Sequence, residues 1–65
     1  MNGYPEIGEK VRIDNKNVGI ITDVYRPNEY HSGRFRVDIH RKPNFIDNVE
    51  FWFGDYGTFV IPMKK

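Results

Sequence analysis

Two short segments near the start of the chain, each containing a glycine and alternating between apolar and polar residues, constrain the fold more than any other feature. The first runs from Gly8 to Asp14, with Val11 and Ile13 separated by charged residues, and the second runs from Val18 to Tyr25. Alternation with a period of two is typical of a β-strand with one buried face. The intervening Asn15-Lys16-Asn17 is turn-forming, so the segments predict a β-hairpin.

The second of these strands is expected to bend. Ile21 and Val24 are three residues apart, so both can face one core only if the strand carries a bulge near Thr22 and Asp23. We expect Ile7, just before the first strand, to cap the core from below.

The remainder of the chain continues the β pattern. It contains no alanine and no leucine, and no window has the apolar spacing of a helix. A polar loop is predicted over residues 26–33, and a third strand follows with Phe35, Val37 and Ile39 on its inner face. Its outer face carries Arg34, Arg36, Asp38 and His40.

The segment Arg41-Lys42-Pro43-Asn44 is predicted to break this strand, and a fourth strand is expected from Asn48 to Phe53. Val49, Phe51 and Phe53 would face inward, with Glu50 and Trp52 outward. Gly54-Asp55-Tyr56-Gly57 is predicted to form a turn, with one turn of 3₁₀ helix as an alternative. The last strand is expected from Thr58 to Ile61, with Phe59 among the phenylalanines that fill the core. It is ended by Pro62, which lacks an amide hydrogen.

Charge selects the register of the third and fourth strands. Pairing Asp38 with Glu50 would oppose two carboxylates. A shift of two residues instead places Arg36 opposite Glu50 and Arg34 opposite Trp52, giving an ion pair and a cation over an aromatic ring. We therefore predict the second register, which leaves the faces unchanged.

Five short strands without helices favour a closed or nearly closed barrel, which hides strand edges. Gly8, Val11 and Ile13, followed by Gly19, Ile21 and Val24, resemble the opening hairpin of SH3-like barrels of the KOW and Tudor type. The chain differs from the KOW pattern in the turn, where Asn15-Lys16-Asn17 replaces the usual glycine. The expected fold is an all-β, five-stranded SH3-like barrel that forms a single domain over residues 1–65.

Composition limits the function classes. Ten basic and nine acidic residues give a net charge of +1, so no overall field attracts the chain to nucleic acid or membranes. There is no cysteine, which excludes disulfides and thiolate metal sites. The first residues lack the pattern of a signal peptide and no apolar run is long enough to span a membrane, so we expect a cytoplasmic protein.

An enzymatic activity is not expected. Ser32 is the only serine and lacks the glycine-flanked turn of a nucleophile. His31 and His40 are on different elements with no ligand cluster nearby, and the carboxylates are scattered. We predict no catalytic residues, no bound metal and no cofactor.

The aromatic residues, 15% of the chain, suggest a binding module. Four rings are expected to be half exposed, and they are the predicted contacts with a protein partner: Tyr25, Tyr30, Trp52 and Tyr56. The alternative is that these rings wrap the ends of the barrel. A further alternative is an aromatic cage for a methylated lysine or arginine, completed by Asp23 or Asp55. A chain this short also resembles the accessory proteins of phages and mobile elements, which often bind a host enzyme.

The alternative function is binding of single-stranded nucleic acid. Basic residues on the third strand and the next loop accompany one flat ring, which suits phosphates and a stacked base. The residues of this predicted site are Arg34, Arg36, His40, Arg41, Lys42 and Trp52. Asp38 and Glu50 share the same face and reduce its field, so the protein partner is preferred.

Overall fold

The structure, a computed structural model, describes residues 4–13, 16–41 and 44–63. Within these ranges the chain forms five strands and one turn of 3₁₀ helix at Phe53–Asp55. The strands are β1 (Lys10–Ile13), β2 (Asn17–Tyr25), β3 (Arg34–Arg41), β4 (Phe45–Trp52) and β5 (Val60–Pro62). The predicted all-β class is confirmed. The 3₁₀ helix that was the alternative for residues 54–57 begins one residue earlier, at Phe53, and ends at Asp55.

All five strands belong to one antiparallel sheet in the order β4-β3-β2-β1-β5. The barrel is not closed by hydrogen bonds, because in the described residues β4 pairs only with β3, and β5 pairs only with β1. The sheet nevertheless curls around one core. Both edge strands contribute to it, with Val60 from β5 and Val49 and Phe51 from β4.

The core follows from the alternation in the sequence. Inward residues of β1 and β3 are buried as predicted, and Phe51 and Phe53 pack against them partly buried. The hydrophobic core of the described chain consists of Val11, Ile13, Ile21, Phe35, Val37, Ile39 and Val60. Removing such side chains from water is the main source of stability for a domain of this size.

The predicted bulge in β2 is confirmed. Ile21 pairs with Val37, and Asp23 pairs with the next residue of β3, Arg36, so Thr22 is an extra residue without a partner across the ladder. The inserted residue shifts the alternation by one position. Ile21 is therefore buried and Val24 also packs against the core.

Gly19 allows β2 and β3 to approach closely. A Cβ atom at this position would lie 2.5 Å from Val37 Cγ1 and 2.9 Å from the carbonyl oxygen of Asp38. Glycine has no such atom, and the backbone can pass directly over the inward side chain of Val37.

Two predicted core residues are exposed instead. Ile7 was expected to cap the core but is 69% exposed, because it occupies a turn in which the Glu9 N–H bonds the Glu6 carbonyl at 3.1 Å. Phe59 is 62% exposed. It lies in the turn before β5, where its N–H bonds the Asp55 carbonyl at 2.8 Å, so its side chain leaves the sheet.

The strand boundaries differ from the predictions mainly around β4. This strand starts at Phe45 rather than Asn48, because the β3–β4 hairpin continues to the Arg41–Phe45 pair. Phe45 and Ile46 are adjacent apolar residues and both are exposed. The sequence therefore has no apolar–polar alternation here that would indicate a strand. β5 is displaced from Thr58–Ile61 to Val60–Pro62, and its edge position tolerates Pro62. Asp14, the predicted end of the first strand, lies outside the described residues, as do Asn15, Lys42 and Pro43.

Candidate functional site

The outward side chains of β2, β3 and β4 form one surface, which we call the outer face. Its residues follow from the ladder, because residues directly opposite one another share a face. The predicted register is confirmed, with Arg36 opposite Glu50 and Arg34 opposite Trp52. Four cross-strand rows result: Tyr25–Arg34–Trp52, Asp23–Arg36–Glu50, Ile20–Asp38–Asn48 and Val18–His40–Ile46.

The first of these, Tyr25–Arg34–Trp52, is here called the aromatic row. Tyr25 is 41% exposed and Trp52 is 58% exposed. The Arg34 guanidinium carbon lies 4.8 Å from the centre of the Tyr25 ring, and Arg34 Nε lies 2.6 Å from Glu50 Oε2. The cation over a ring was predicted for Arg34 and Trp52, but the ring it covers is that of Tyr25 on the other neighbouring strand.

Tyr30 lies in the loop that joins Tyr25 to Arg34, so it emerges at the same end of the sheet as the aromatic row. Its side chain is 84% exposed. The loop is ordered by Asn28, whose Oδ1 accepts the N–H groups of Tyr30 at 2.7 Å and His31 at 3.0 Å. The Asn28 N–H in turn donates to the His31 carbonyl. This Asx-type turn holds the backbone of Tyr30 in place.

Gly33 ends the loop with a φ of +90°, a conformation that favours glycine. Its carbonyl accepts the Phe53 N–H at 3.1 Å. The loop that contains Tyr30 is therefore hydrogen-bonded to the residue that follows Trp52. This bond holds the loop and the aromatic row in a fixed relative position.

Tyr56 occupies a different environment from the other three rings. It packs edge-on against Phe35, with ring centres 6.0 Å apart, and its hydroxyl donates to the carboxylate of Glu9, 2.7 Å from Oε2. Burial, then the hydrogen bond and the charge of Glu9, raise the pKa of Tyr56 well above its ordinary value. Tyr56 thus joins the N-terminal segment to the core, which matches the packing role considered as an alternative.

The four rings considered as the walls of a cage for a methylated cation lie in separate surroundings. In the described chain, no ring-to-ring contact joins any two of Tyr25, Tyr30, Trp52 and Tyr56. Arg34 already covers Tyr25, and Asp55 accepts the Trp52 N–H at 3.0 Å. The Tyr25 ring face and the Asp55 carboxylate, which such a cage would offer to a cationic ligand, are therefore already engaged within the chain.

The centre of the outer face is a polar network with Asn48 in its middle. The Asn48 amide nitrogen donates to Asp38 Oδ1 at 2.7 Å and to Thr22 Oγ1 at 3.4 Å, and its oxygen accepts from Arg36 Nε. Arg36 also lies 3.7 Å from Glu50. The network links three strands through Thr22, the bulged residue of β2.

The basic residues predicted to contact nucleic acid are mostly paired with carboxylates. Arg34 and Arg36 both approach Glu50, and Arg41 lies 3.3 Å from Asp47 on the inward side of the β3–β4 hairpin. His40 is exposed on the outer face, whereas Lys42 lies outside the described residues. The residues predicted to contact nucleic acid therefore do not share one surface: Arg34, Arg36 and His40 lie on the outer face, and Arg41 lies on the inward side of the sheet.

No group of three His, Cys, Asp or Glu side chains suited to a metal ion occurs in residues 4–13, 16–41 and 44–63. Nor does any helix in the described part of the chain have the length and apolar character needed to cross a membrane.

Sequence reasoning missed two features of β4. Asn48 gave no signal beyond its place at the start of a predicted strand, because its partners are brought to it by the register and the bulge. The exposed apolar pair Phe45 and Ile46 (55% and 57%) was missed since the segment around it was assigned to a loop. The predicted register, if extended toward the hairpin, would have placed Ile46 beside His40.

Comparison of the chain with protein-family models, with curated proteins and with solved structures finds no significant match.

Proposed function

We propose that the protein is a non-catalytic module that binds a protein partner through the aromatic row and Tyr30. The observation that carries this proposal is the presence of three exposed rings and an arginine at one end of the sheet, on strands and a loop that are hydrogen-bonded to one another. Tryptophan, tyrosine and arginine are the side chains that most often dominate protein interfaces.

Arg34 supports this function by its arrangement. Its two contacts, with the Tyr25 ring and with Glu50, hold the guanidinium in place before a partner arrives. Less side-chain freedom is then lost on binding, which favours affinity. The turn around Asn28 acts similarly on the backbone of Tyr30.

The charges of the outer face favour a protein over nucleic acid. Its arginines, Arg34 and Arg36, are accompanied by three carboxylates, those of Asp23, Asp38 and Glu50. A phosphate track requires unpaired cations whose counterions are released on binding. A mixed-charge surface beside exposed rings suits the polar rim and apolar centre of a protein interface.

The proposal includes a cytoplasmic location, which is supported by the lack of cysteine in a small domain. Small extracellular domains are commonly stabilised by disulfides.

Capture of a partner from the native host with immobilised protein tests the function. The variants Trp52→Ala and Tyr30→Ala should each weaken binding of the partner about thirtyfold or more, which corresponds to the about 2 kcal/mol or more of interface hot spots. Phe59→Ala is the matched control, because it removes an equally exposed ring outside the surface. Loss of the partner from all three variants, or from none, would reject the proposed surface.

Folding of each variant is checked by its amide NMR spectrum. A titration with a short single-stranded oligonucleotide completes the experiment. Shifts around Arg34, Arg36 and Trp52 that weaken steeply with salt would favour the nucleic-acid alternative instead.

A further inference from the structure

The two edges of the sheet differ in how they are protected from pairing with another strand. β5 has three residues and includes Pro62, which cannot donate to a ladder. β4 has eight residues, no proline and no lysine, and its ladder with β3 is regular from end to end. Proteins usually protect a long, flat edge with such residues or with bulges, and β4 has none of them.

The backbone groups that face the free side of β4 can be assigned. The Phe53 N–H bonds the Gly33 carbonyl, and bonded pairs alternate along an antiparallel ladder. The odd-numbered residues of β4 are therefore bonded to β3. The N–H and C=O groups of Ile46, Asn48 and Glu50 point to the free edge, while the Trp52 N–H is already bonded to Asp55.

The two carboxylates of β4 do little to protect this edge, because each is neutralised within the chain. Glu50 lies 2.6 Å from Arg34 and 3.7 Å from Arg36, and Asp47 lies 3.3 Å from Arg41. A second strand can therefore approach without meeting an unpaired charge.

We propose that β4 pairs antiparallel with β4 of a second copy of this chain, about a two-fold axis at Asn48. In this register Ile46 lies opposite Glu50 of the second copy, so the edge N–H groups of Ile46, Asn48 and Glu50 all find carbonyl partners. An axis at Asp47 or Glu50 would oppose like carboxylates. An axis at Val49 would require the Trp52 N–H, which Asp55 occupies.

The side chains of the strand are complementary to themselves in the same register. Phe45, which is 55% exposed, comes opposite Phe51 of the second copy. Phe51 stacks on Phe35 with ring centres 5.7 Å apart, so Phe45 extends an existing aromatic stack and covers the core where the sheet is open. Because β4 carries both Phe45 and Phe51, two copies of the strand satisfy each other in this register, which favours a second copy over an unrelated strand.

Sedimentation equilibrium of the full chain over a range of concentrations tests the dimer. The unaltered chain should double its mass with rising concentration. Ile46→Pro removes an edge N–H without touching the bonds to β3, and should weaken dimerisation at least about tenfold, since two hydrogen bonds are lost per dimer. Ile46→Ala is the matched control, because it keeps the N–H group, and it should dimerise more tightly than the proline variant.

Two measurements make the test independent of how the proline variant folds. In the unaltered chain, amide exchange at Ile46, Asn48 and Glu50 should slow as concentration rises. The chain has no cysteine, so a single introduced cysteine can form a disulfide only with that of a second copy. Asn48→Cys should give a disulfide-linked dimer under oxidation, because residues at the axis face each other at a suitable distance. Val49→Cys should not.

A chain that remains monomeric up to about 1 mM, the weakest range of specific association, would overturn the proposal. So would equal dimerisation of the two Ile46 variants, or crosslinking through Val49→Cys instead of Asn48→Cys. The edge hydrogen bonds of this dimer use Ile46, Asn48 and Glu50 and no residue of the aromatic row, because the backbone N–H of Trp52 is bonded to Asp55. The dimer and the proposed partner surface are therefore tested by different variants.

Discussion

The two faces of β3 are built from neighbouring residues but serve different purposes. Phe35, Val37 and Ile39 face inward and are at most 1% exposed. Arg34 and Arg36 face outward, where their ion pairs with Glu50 remain in contact with water. Apolar burial contributes far more to stability than exposed ion pairs do. The inner face therefore maintains the fold, and the outer face can vary in chemistry without unfolding the domain.

The largest effect is expected from Phe35→Ala, which removes the largest fully buried side chain. The loss should be about 3 to 5 kcal/mol in the free energy of unfolding, a large part of the total for a domain this small. Urea denaturation measures it. Phe59→Ala, an exposed phenylalanine, is the control and should change stability by less than about 0.5 kcal/mol. Similar losses in the two variants would contradict the contrast between the faces.

Gly19→Ala sharpens the comparison by adding an atom to the inner face instead of removing several. The new Cβ would meet Val37 and the carbonyl of Asp38 at distances that real Cβ atoms do not show, so we expect a loss of about 1 to 3 kcal/mol. Combining it with Val37→Ala should cost less than the sum of the single changes, because the clash with Val37 is relieved. Strict additivity would show that the two residues do not compete for space.

Tyr56→Phe tests a residue whose ring packs against Phe35 of the inner face and whose hydroxyl is bonded to Glu9. Losing the hydroxyl bond to Glu9 should lower the free energy of unfolding by about 1 kcal/mol at neutral pH. The raised pKa of Tyr56 stabilises the fold fully below pH about 10, its unfolded value, and that contribution is lost as pH rises further. Thermal melts at pH 7 to 11 should therefore show a steeper alkaline decline in the unaltered chain than in Tyr56→Phe. Parallel curves would contradict this role.

The smallest effect is expected for Glu50→Gln on the outer face. It removes the charge that pairs with Arg34 and Arg36, whose side chains are more than a third exposed. The loss should be below about 1 kcal/mol and should shrink as salt is added. Thermal melts at low and high salt measure it. A loss that approached that of Phe35→Ala would show that the outer face also maintains the fold.

The sequence predicted the features that depend on alternation and local chemistry. The inner face of β3, the bulge between Ile21 and Val24 and the register between β3 and β4 were all readable, because each follows from a period of two or from charges directly opposite one another. The features it missed depend on where the chain turns. Phe59 has the composition of a core residue but lies in a turn, and no local pattern distinguishes the two.

The candidate surface was predictable in part for the same reason. Tyr25, Tyr30 and Trp52 were selected as exposed rings, and the register brings two of them to one row. The contact of Arg34 with Tyr25 was not foreseen, since an arginine in a central strand has a ring on either side and only the side-chain conformation decides between them. The separate position of Tyr56 depends on the 3₁₀ turn that follows Trp52 and on a distant carboxylate, Glu9.

Thr22 determines which side chains in the second half of β2 face the core. As the unmatched residue of the ladder, it is the spacer that lets Val24 point to the interior and Tyr25 to solvent. Deleting this one residue would exchange the orientations of everything between it and the loop, turning a tyrosine toward the hydrophobic centre and a valine toward water. The position is therefore expected to accept many substitutions and no deletion.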